Sequence, residues 1–301
     1  MKILVALDAT AQCQEIVSEI ASRSWLPNTT FILLHVVEPF SFRKMPRSLD
    51  RARDAAEAQL NESARRLGVA GLVTEERVAL GRPHQQIVSL AESLKVDLIV
   101  MGSRGAGGMA GLLLGSTARA VLSHAPCSVE IVRPDHKNRV CSGAMNILVA
   151  VDGSECSKVA LHSIVSRIWP AKSTFRVVSI PHPSMPISSF PTSELKDVVA
   201  IKHAKHWVES GAKVLRSAGL NAEAEVLLPY HSDGREIVNE AVRWPAHVIV
   251  LGSHGRHGFD RFKRGSVSEY VSMNAACTVV VLRNCEMPKE KAKTLSKGAA
   301  V

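Results

Sequence analysis

The sequence predicts an α/β protein made of two tandem, doubly wound domains, each with a five-stranded parallel sheet and helices on both faces. Three observations lead there. The stretch ILVALDAT at 3–10 returns as ILVAVDGS at 147–154, and VMGSRGAGGMAGLLLGS at 100–116 returns as VLGSHGRHGFDRFKRGS at 250–266. Over 97–133 against 247–283, 13 of 37 positions are identical, which marks a duplicated unit of domain size rather than a solenoid repeat. Short, continuously apolar runs alternate with amphipathic stretches, the pattern of parallel strands covered on both faces by crossover helices. A chain of 301 residues, 46% of them apolar, is long enough to build two such cores.

The elements follow in order, read through the second copy. ILVAV (147–151) is strand one, and Ser154 is the N-cap of a helix with Leu161, Ile164, Val165 and Ile168 on one face. FRVVSI (175–180) is strand two, followed by a proline-rich loop and a helix from about Glu194 to Ala218. AEAEVLL (222–228) is strand three. Ile237, Ala241 and Trp244 mark one face of the next helix, and Ile87, Ala91 and Leu94 stand in the same register of the first copy. HVIVL (247–251) is strand four, a helix follows Gly265, and CTVVVLR (277–283) closes as strand five. Right-handed crossovers wind such a series into an open sheet. The expected boundaries are 1–134 for the first domain, 135–146 for a polar linker, 147–285 for the second domain and 286–301 for a basic, disordered tail.

Composition narrows the function classes. The apolar runs, such as DLIVM at 97–101, are far too short to span a bilayer, and the first residues lack a signal-peptide cleavage pattern, so a cytoplasmic protein is expected. Six cysteines form no CxxC pair and no regular framework, which favours reduced thiols. The net charge of +9 invites a nucleic-acid reading, but much of the excess sits in the tail and aromatics make up only 4% of the chain, with no basic stripe interleaved with them. His254 and His257 lack further ligands at metal spacing, so no metal site is expected.

The glycine stretches carry the chemistry. Ligands of open parallel sheets bind outside the carboxyl ends of the strands. Gly102 and Gly252 follow strand four, where a missing side chain lets a ligand lie on the backbone, and Gly105 and Gly255 permit a tight reversal. Gly115-Ser116 and Gly265-Ser266 then open a helix whose free N–H groups and positive dipole end favour an anion, expected to be a phosphate. The shared spacing G-x2-G-x9-G-S fits neither the P-loop nor the dinucleotide fingerprint.

Together, VALDAT or VAVDGS after strand one, that glycine spacing, and the closing APCSVEIVR or AACTVVVLR make the chain similar to the universal stress protein family, as a tandem two-domain member, over nearly its whole length. The resemblance implies a sheet of order 3-2-1-4-5 of the adenine-nucleotide α-hydrolase type, pairing of the domains through strand five, roles in stress survival and ATP binding by members that keep the glycine motif; separately, the carboxylate of Asp8 or Asp152 is suited to hold Mg2+ through water. The resemblance places Asp8 and Asp152 near the ribose and phosphates and the backbone at Val36 and Ile180 on the adenine. The full set it suggests adds Met101, Gly102, Gly105, Gly115, Ser116 and Thr117 in the first copy. In the second it adds Gly153, Ser154, Leu251, Gly252, Gly255, Gly265, Ser266 and Val267.

Two departures matter. Ala9 stands where the second copy has Gly153, so a required positive φ would leave the first loop strained or reshaped. The second glycine loop carries Arg256, Arg261, Lys263 and Arg264, where the first is neutral. No residue in the cradle is an evident base for water and no lysine sits in it, so binding or sensing is favoured, with a nucleotide-dependent protein partner. Two alternatives stay open: an interaction module with empty cradles, the tandem acting as a pseudo-dimer with or without further homodimerisation, or a slow ATP-hydrolysing enzyme.

Overall fold

A computed structural model describes residues 1–10, 12–39, 46–104, 114–133, 143–182, 193–254 and 265–283. Gly105, Gly255, the basic loop residues Arg256, Arg261, Lys263 and Arg264, most of the expected linker and the 286–301 tail lie outside them.

The first half runs β1 (Lys2–Leu7), α1 (Gln12–Ser22), β2 (Thr30–Val37), α2 (Pro46–Val69), β3 (Val73–Leu80), α3 (Pro83–Ser93), β4 (Leu98–Gly102), α4 (Ser116–His124) and β5 (Ser128–Val132). The second repeats it as β6 (Asn146–Ala150), α5 (Glu155–Val165), β7 (Thr174–Ser179), α6 (Ser193–Ser217), β8 (Asn221–Val226), α7 (Asp233–Arg243), β9 (Val248–Gly252), α8 (Ser266–Asn274) and β10 (Thr278–Leu282). Each half has the order 3-2-1-4-5 with all-parallel neighbours. The halves join as one ten-stranded sheet, β3-β2-β1-β4-β5-β10-β9-β6-β7-β8. Among the described strands the one antiparallel pair is β5 with β10, in the register Ile131 with Val279, Glu130 with Val280 and Val129 with Val281. Each half thereby covers the other's inner sheet edge, removing a row of unpaired backbone groups from solvent.

The central strands are apolar on successive residues because both faces are covered: Leu98, Ile99, Val100 and Met101 are all buried. One core, containing Ile87, Val121, Val129, Ile131, Ile237, Val271, Val279 and Val281, runs unbroken across the junction under α3, α4, α7 and α8. On the opposite face the halves keep separate cores, one around Phe31 and Leu60 and one around Phe175 and Val208. Both repeat the same detail. Trp25 packs edge-on against Phe31 at 5.1 Å and Trp169 against Phe175 at 5.4 Å, and each indole N–H donates to the carbonyl five residues earlier, Ile20 or Ile164.

Three expectations change. Helix α5 ends at Val165, so Ile168 is not on its buried face and is 48% exposed. Strand β8 stops at Val226; Leu227 turns inward and is buried, while Leu228 is exposed. Cys13, Cys127 and Cys277 are free and buried, but Cys156 is disulfide-bonded rather than reduced. Among the described residues no helix is long and apolar enough to cross a membrane.

Candidate functional site

At the carboxyl ends of β1, β2 and β4 lies a cavity of about 660 Å³, within the roughly 300–1,000 Å³ range of small-molecule sites. Seven of the eight residues expected in the first copy line it: Asp8, Val36, Met101, Gly102, Gly115, Ser116 and Thr117. Gly105 lies outside the described residues. The sheet register brings them together: Ala6 is level with Met101, so the chain leaves β1 toward Asp8 as β4 ends at Gly102.

The floor is made by backbone. A Cβ on Gly102 would stand 2.7 Å from Gln12 Oε1, and glycine avoids that crowding. Ser103 N–H donates to the Val132 carbonyl (3.1 Å) and Gly115 N–H to the Ser103 carbonyl (2.8 Å), which ties the start of α4 to the end of β4. Gly115 is an extended N-cap with no side-chain cap bond, so no side chain competes for the first-turn N–H groups of α4, a helix start suited to an anion. Asp8 is pre-positioned: one of its carboxylate oxygens accepts from Thr10 N–H (3.1 Å) and Thr10 Oγ1 (2.5 Å), and its backbone carbonyl accepts from Gln59 Nε2.

Other lining residues went unread in the sequence. Gln12 donates through Nε2 to Ser103 Oγ and the Val132 carbonyl, both at 3.4 Å, and its Oε1 accepts from Arg104 N–H. Gln59 closes the α2 side. His35, one residue before Val36, also lines the cavity, and its Nδ1 is buried without a hydrogen-bond partner. Burial pushes its pKa below the usual histidine value, against the opposing pull of Asp8 and Gln59. A histidine inside the apolar run TFILLHVV was the available signal.

The second copy assembles the same frame. Ala150 is level with Leu251, so Asp152, Gly153 and Ser154 again face Gly252 and the start of α8, where Gly265, Ser266 and Val267 stand, with Ile180 just past β7. Gly255 is outside the described residues. A Cβ on Gly252 would stand 2.6 Å from Cys156 Cβ, and one on Gly265 would stand 2.7 Å from the Ser253 carbonyl oxygen. Asp152 accepts from Ser154 N–H (3.0 Å) and from Ser157 Oγ, while Ser154 Oγ caps α5 by accepting from Ser157 N–H.

The surroundings differ between copies. Gly153 adopts φ +78°, and a Cβ there would come within 2.5 Å of Trp207 Cε2. Trp207 matches Gln59 on the preceding long helix, and His203, matching Ala55, packs on it at 5.7 Å. Glu38 and Pro83, on the rim of the first cavity, are replaced by His182 and Asp233, which pair at 2.7 Å.

Among the described residues no group of three or more His, Cys, Asp or Glu could hold a metal ion; His254 hydrogen-bonds Ser253 Oγ (2.9 Å), and His257 lies outside the described residues. Burial raises the Cys127 thiol to about 12, which makes it unreactive.

A family model described as Universal stress protein family matches residues 1–133 and 144–283. A universal stress protein of Mycolicibacterium smegmatis is 26% identical over 309 residues, covering 93% of this chain and 96% of its own length. One from Mycobacterium tuberculosis strain H37Rv is 25% identical over 301 residues, with the same coverages of 93% and 96%. Among solved structures, a universal stress protein from Archaeoglobus fulgidus superposes with a TM-score of 0.68 at 20% identity, over 94% of this chain and 96% of that one, a likeness of fold.

Proposed function

The chain belongs to the universal stress protein family, and from that premise we propose that it binds an adenine nucleotide, ATP with Mg2+, and reports occupancy to a protein partner through the loops around the site. The observation that carries the reading is the first cavity. One space of nucleotide size joins the Asp8 carboxylate, the backbone at Val36, the bare backbone at Gly102 and the uncapped start of α4. Each suits one part of the ligand: backbone N–H and C=O for a base edge, a carboxylate for ribose hydroxyls or hydrated Mg2+, a helix start for phosphates. The second copy keeps Asp152, Gly252 and the uncapped start of α8, which supports a second site of related kind.

A second reading, an interaction module that needs no nucleotide, draws on the shared core and the β5–β10 pairing. Purified protein is denatured and its released nucleotide identified, and stripped protein is then titrated with Mg-ATP by calorimetry. Ser116→Glu and Ser266→Glu serve as site blocks, because a carboxylate suits a helix start but repels phosphate. Binding lost site by site with these variants supports the nucleotide reading. A folded chain that binds no nucleotide leaves the interaction module.

A further inference from the structure

Each half ends its fifth strand in an arginine that reaches into the other half. Arg283, just past β10, donates through Nη1 to the Ala125 carbonyl (2.6 Å) and through Nη2 to the Leu122 carbonyl, at the end of α4. Arg133, at the matching position past β5, donates through Nη2 to the Ser272 carbonyl near the end of α8 and is only 8% exposed. These are carbonyls at helix ends, beyond or near the reach of the helices' own N–H groups, where the dipole attracts a cation. Burial holds the Arg133 pKa down to about 10, so the guanidinium depends on these acceptors.

The opposite ends of the same two helices are the anion-facing ends of the two sites. Hydrogen bonds complete the circuit. Gly115 N–H is held by the Ser103 carbonyl, and Ser103 N–H by the carbonyl of Val132, the residue before Arg133. Gly265 N–H is held by the Ser253 carbonyl (3.1 Å), and Ser253 N–H by the carbonyl of Leu282, the residue before Arg283 (2.9 Å). From Gly115 the path therefore runs along α4 to Arg283, through Leu282 and Ser253 to Gly265, along α8 to Arg133, and through Val132 and Ser103 back to Gly115. It is a closed ring that runs past the base of both glycine loops, at Ser103–Gly115 and Ser253–Gly265, and crosses the junction twice.

We propose that this ring couples the two sites positively, so that nucleotide at one helix start raises the affinity of the other. The proposal rests on the nucleotide reading above. An anion at the start of α4 orders that helix and the carbonyls that hold Arg283; Arg283 in turn fixes the β10 end that positions Ser253 and Gly265. Ordering completed by the first ligand no longer opposes the second.

The test uses the full chain and Mg-ATP. Ser266→Phe reports the first site alone and Ser116→Phe the second, bulky neutral blocks that put no anion of their own at the helix start, with Trp207 fluorescence as a local signal for the latter because its ring stands against Gly153. Wild type should bind its second nucleotide about fivefold or more tightly than the single-site variants bind theirs. Arg283→Met, with Arg283→Lys as the milder variant, should make the sites independent. A wild-type isotherm equal to the sum of the two single-site isotherms, or binding at one site only, overturns the coupling. Absence of all ATP binding instead defeats the nucleotide reading, and hydrogen exchange without ligand then decides: Arg283→Met should speed exchange at Gly115 and Ser103 in the other half. Change confined to 122–125 overturns the ring.

Discussion

Ala9 and Gly153 stand at the same step of the chain yet turn it differently. Among the described residues the non-glycine positions with positive φ are Asn28, Lys95 and Lys172, so Ala9 rounds its loop with ordinary backbone: the loop is reshaped, not strained. Gly153 needs its φ of +78° and also the absence of a Cβ, because Trp207 fills that space where the first half has Gln59. Gly153→Ala should therefore destabilise by about 1–3 kcal/mol in urea unfolding, while Ala9→Gly should cost only about 0.4–1 kcal/mol through the unfolded chain. Adding Trp207→Gln to Gly153→Ala relieves the clash but not the backbone strain, so part of the loss should return.

His35 gives the same scale a pH dependence. Its folded pKa lies below the unfolded value of 6.5, so below that pH the unfolded chain binds more protons. Its contribution to stability is complete above about pH 6.5 and is lost as pH falls through the lowered folded pKa. The melting temperature should drop on acidification from pH 7 toward 5, and His35→Gln should flatten that part of the profile. A variant with an unchanged profile would show that the neutral imidazole is not what the fold selects.

At the scale of elements, the helices α3 and α7 pack on the sheet by different chemistry in the two halves. In the first, Ile32 on β2 and Leu90 on α3 both belong to the apolar packing of the shared core. Their counterparts are Arg176 and Glu240, which pair at 2.6 Å. Arg176 also binds Glu223 (2.7 Å) and lies 4.7 Å from the Trp244 ring centroid, and Arg243 adds to Glu240 at 2.8 Å. Glu240 is 4% exposed, so Glu240→Leu alone takes a charged partner from Arg176, which keeps Glu223, and should cost about 1.5–3 kcal/mol. Arg176→Ile with Glu240→Leu, the first half's own solution, should recover most of that loss. A double variant no more stable than the single one would show that the two positions do not couple.

Elements also show what the sequence made legible. The strands and the positions Gly102, Gly115 and Ser116 were readable because they recur in both copies, while the strand order and the places of Asp8 and Val36 followed from the family resemblance. His35, Gln12 and Gln59 were missed for the converse reason: their counterparts are Ser179, Cys156 and Trp207, and comparison of the copies hides positions at which they diverged. Ile168 satisfied the helical period by chance. Helix α5 stops at Val165 because the Trp169 indole N–H takes the Ile164 carbonyl, closing the last turn, and Pro170 cannot continue it.

For the whole molecule the decisive residue lies near the pseudo-twofold axis. On the face opposite the shared core, Glu130 of β5 is fully buried opposite Val280, and one arginine from each half converges on it: Arg23 at 2.5 Å and Arg167 at 3.7 Å. Burial works against the charge of Arg23, but Glu130 and Glu19 outweigh it and hold its pKa above the ordinary value, whereas Arg167, more weakly paired, is pulled down by burial. The carboxylate therefore neutralises a point where two positively charged surfaces would otherwise meet. Glu130→Val, which copies the counterpart residue Val280, should destabilise by about 3–5 kcal/mol by leaving two guanidiniums to face each other. Because the core under α3, α4, α7 and α8 is continuous across β5 and β10, wild type should unfold in one transition, with the calorimetric and van't Hoff enthalpies agreeing. The ionic face and the apolar face hold the same junction, so the two effects separate in one experiment. If Glu130→Val splits the transition into two, the axial carboxylate is what makes the halves unfold together; if it lowers a single transition intact, the shared apolar core is sufficient for that, and Glu130 only adds to the stability of the whole.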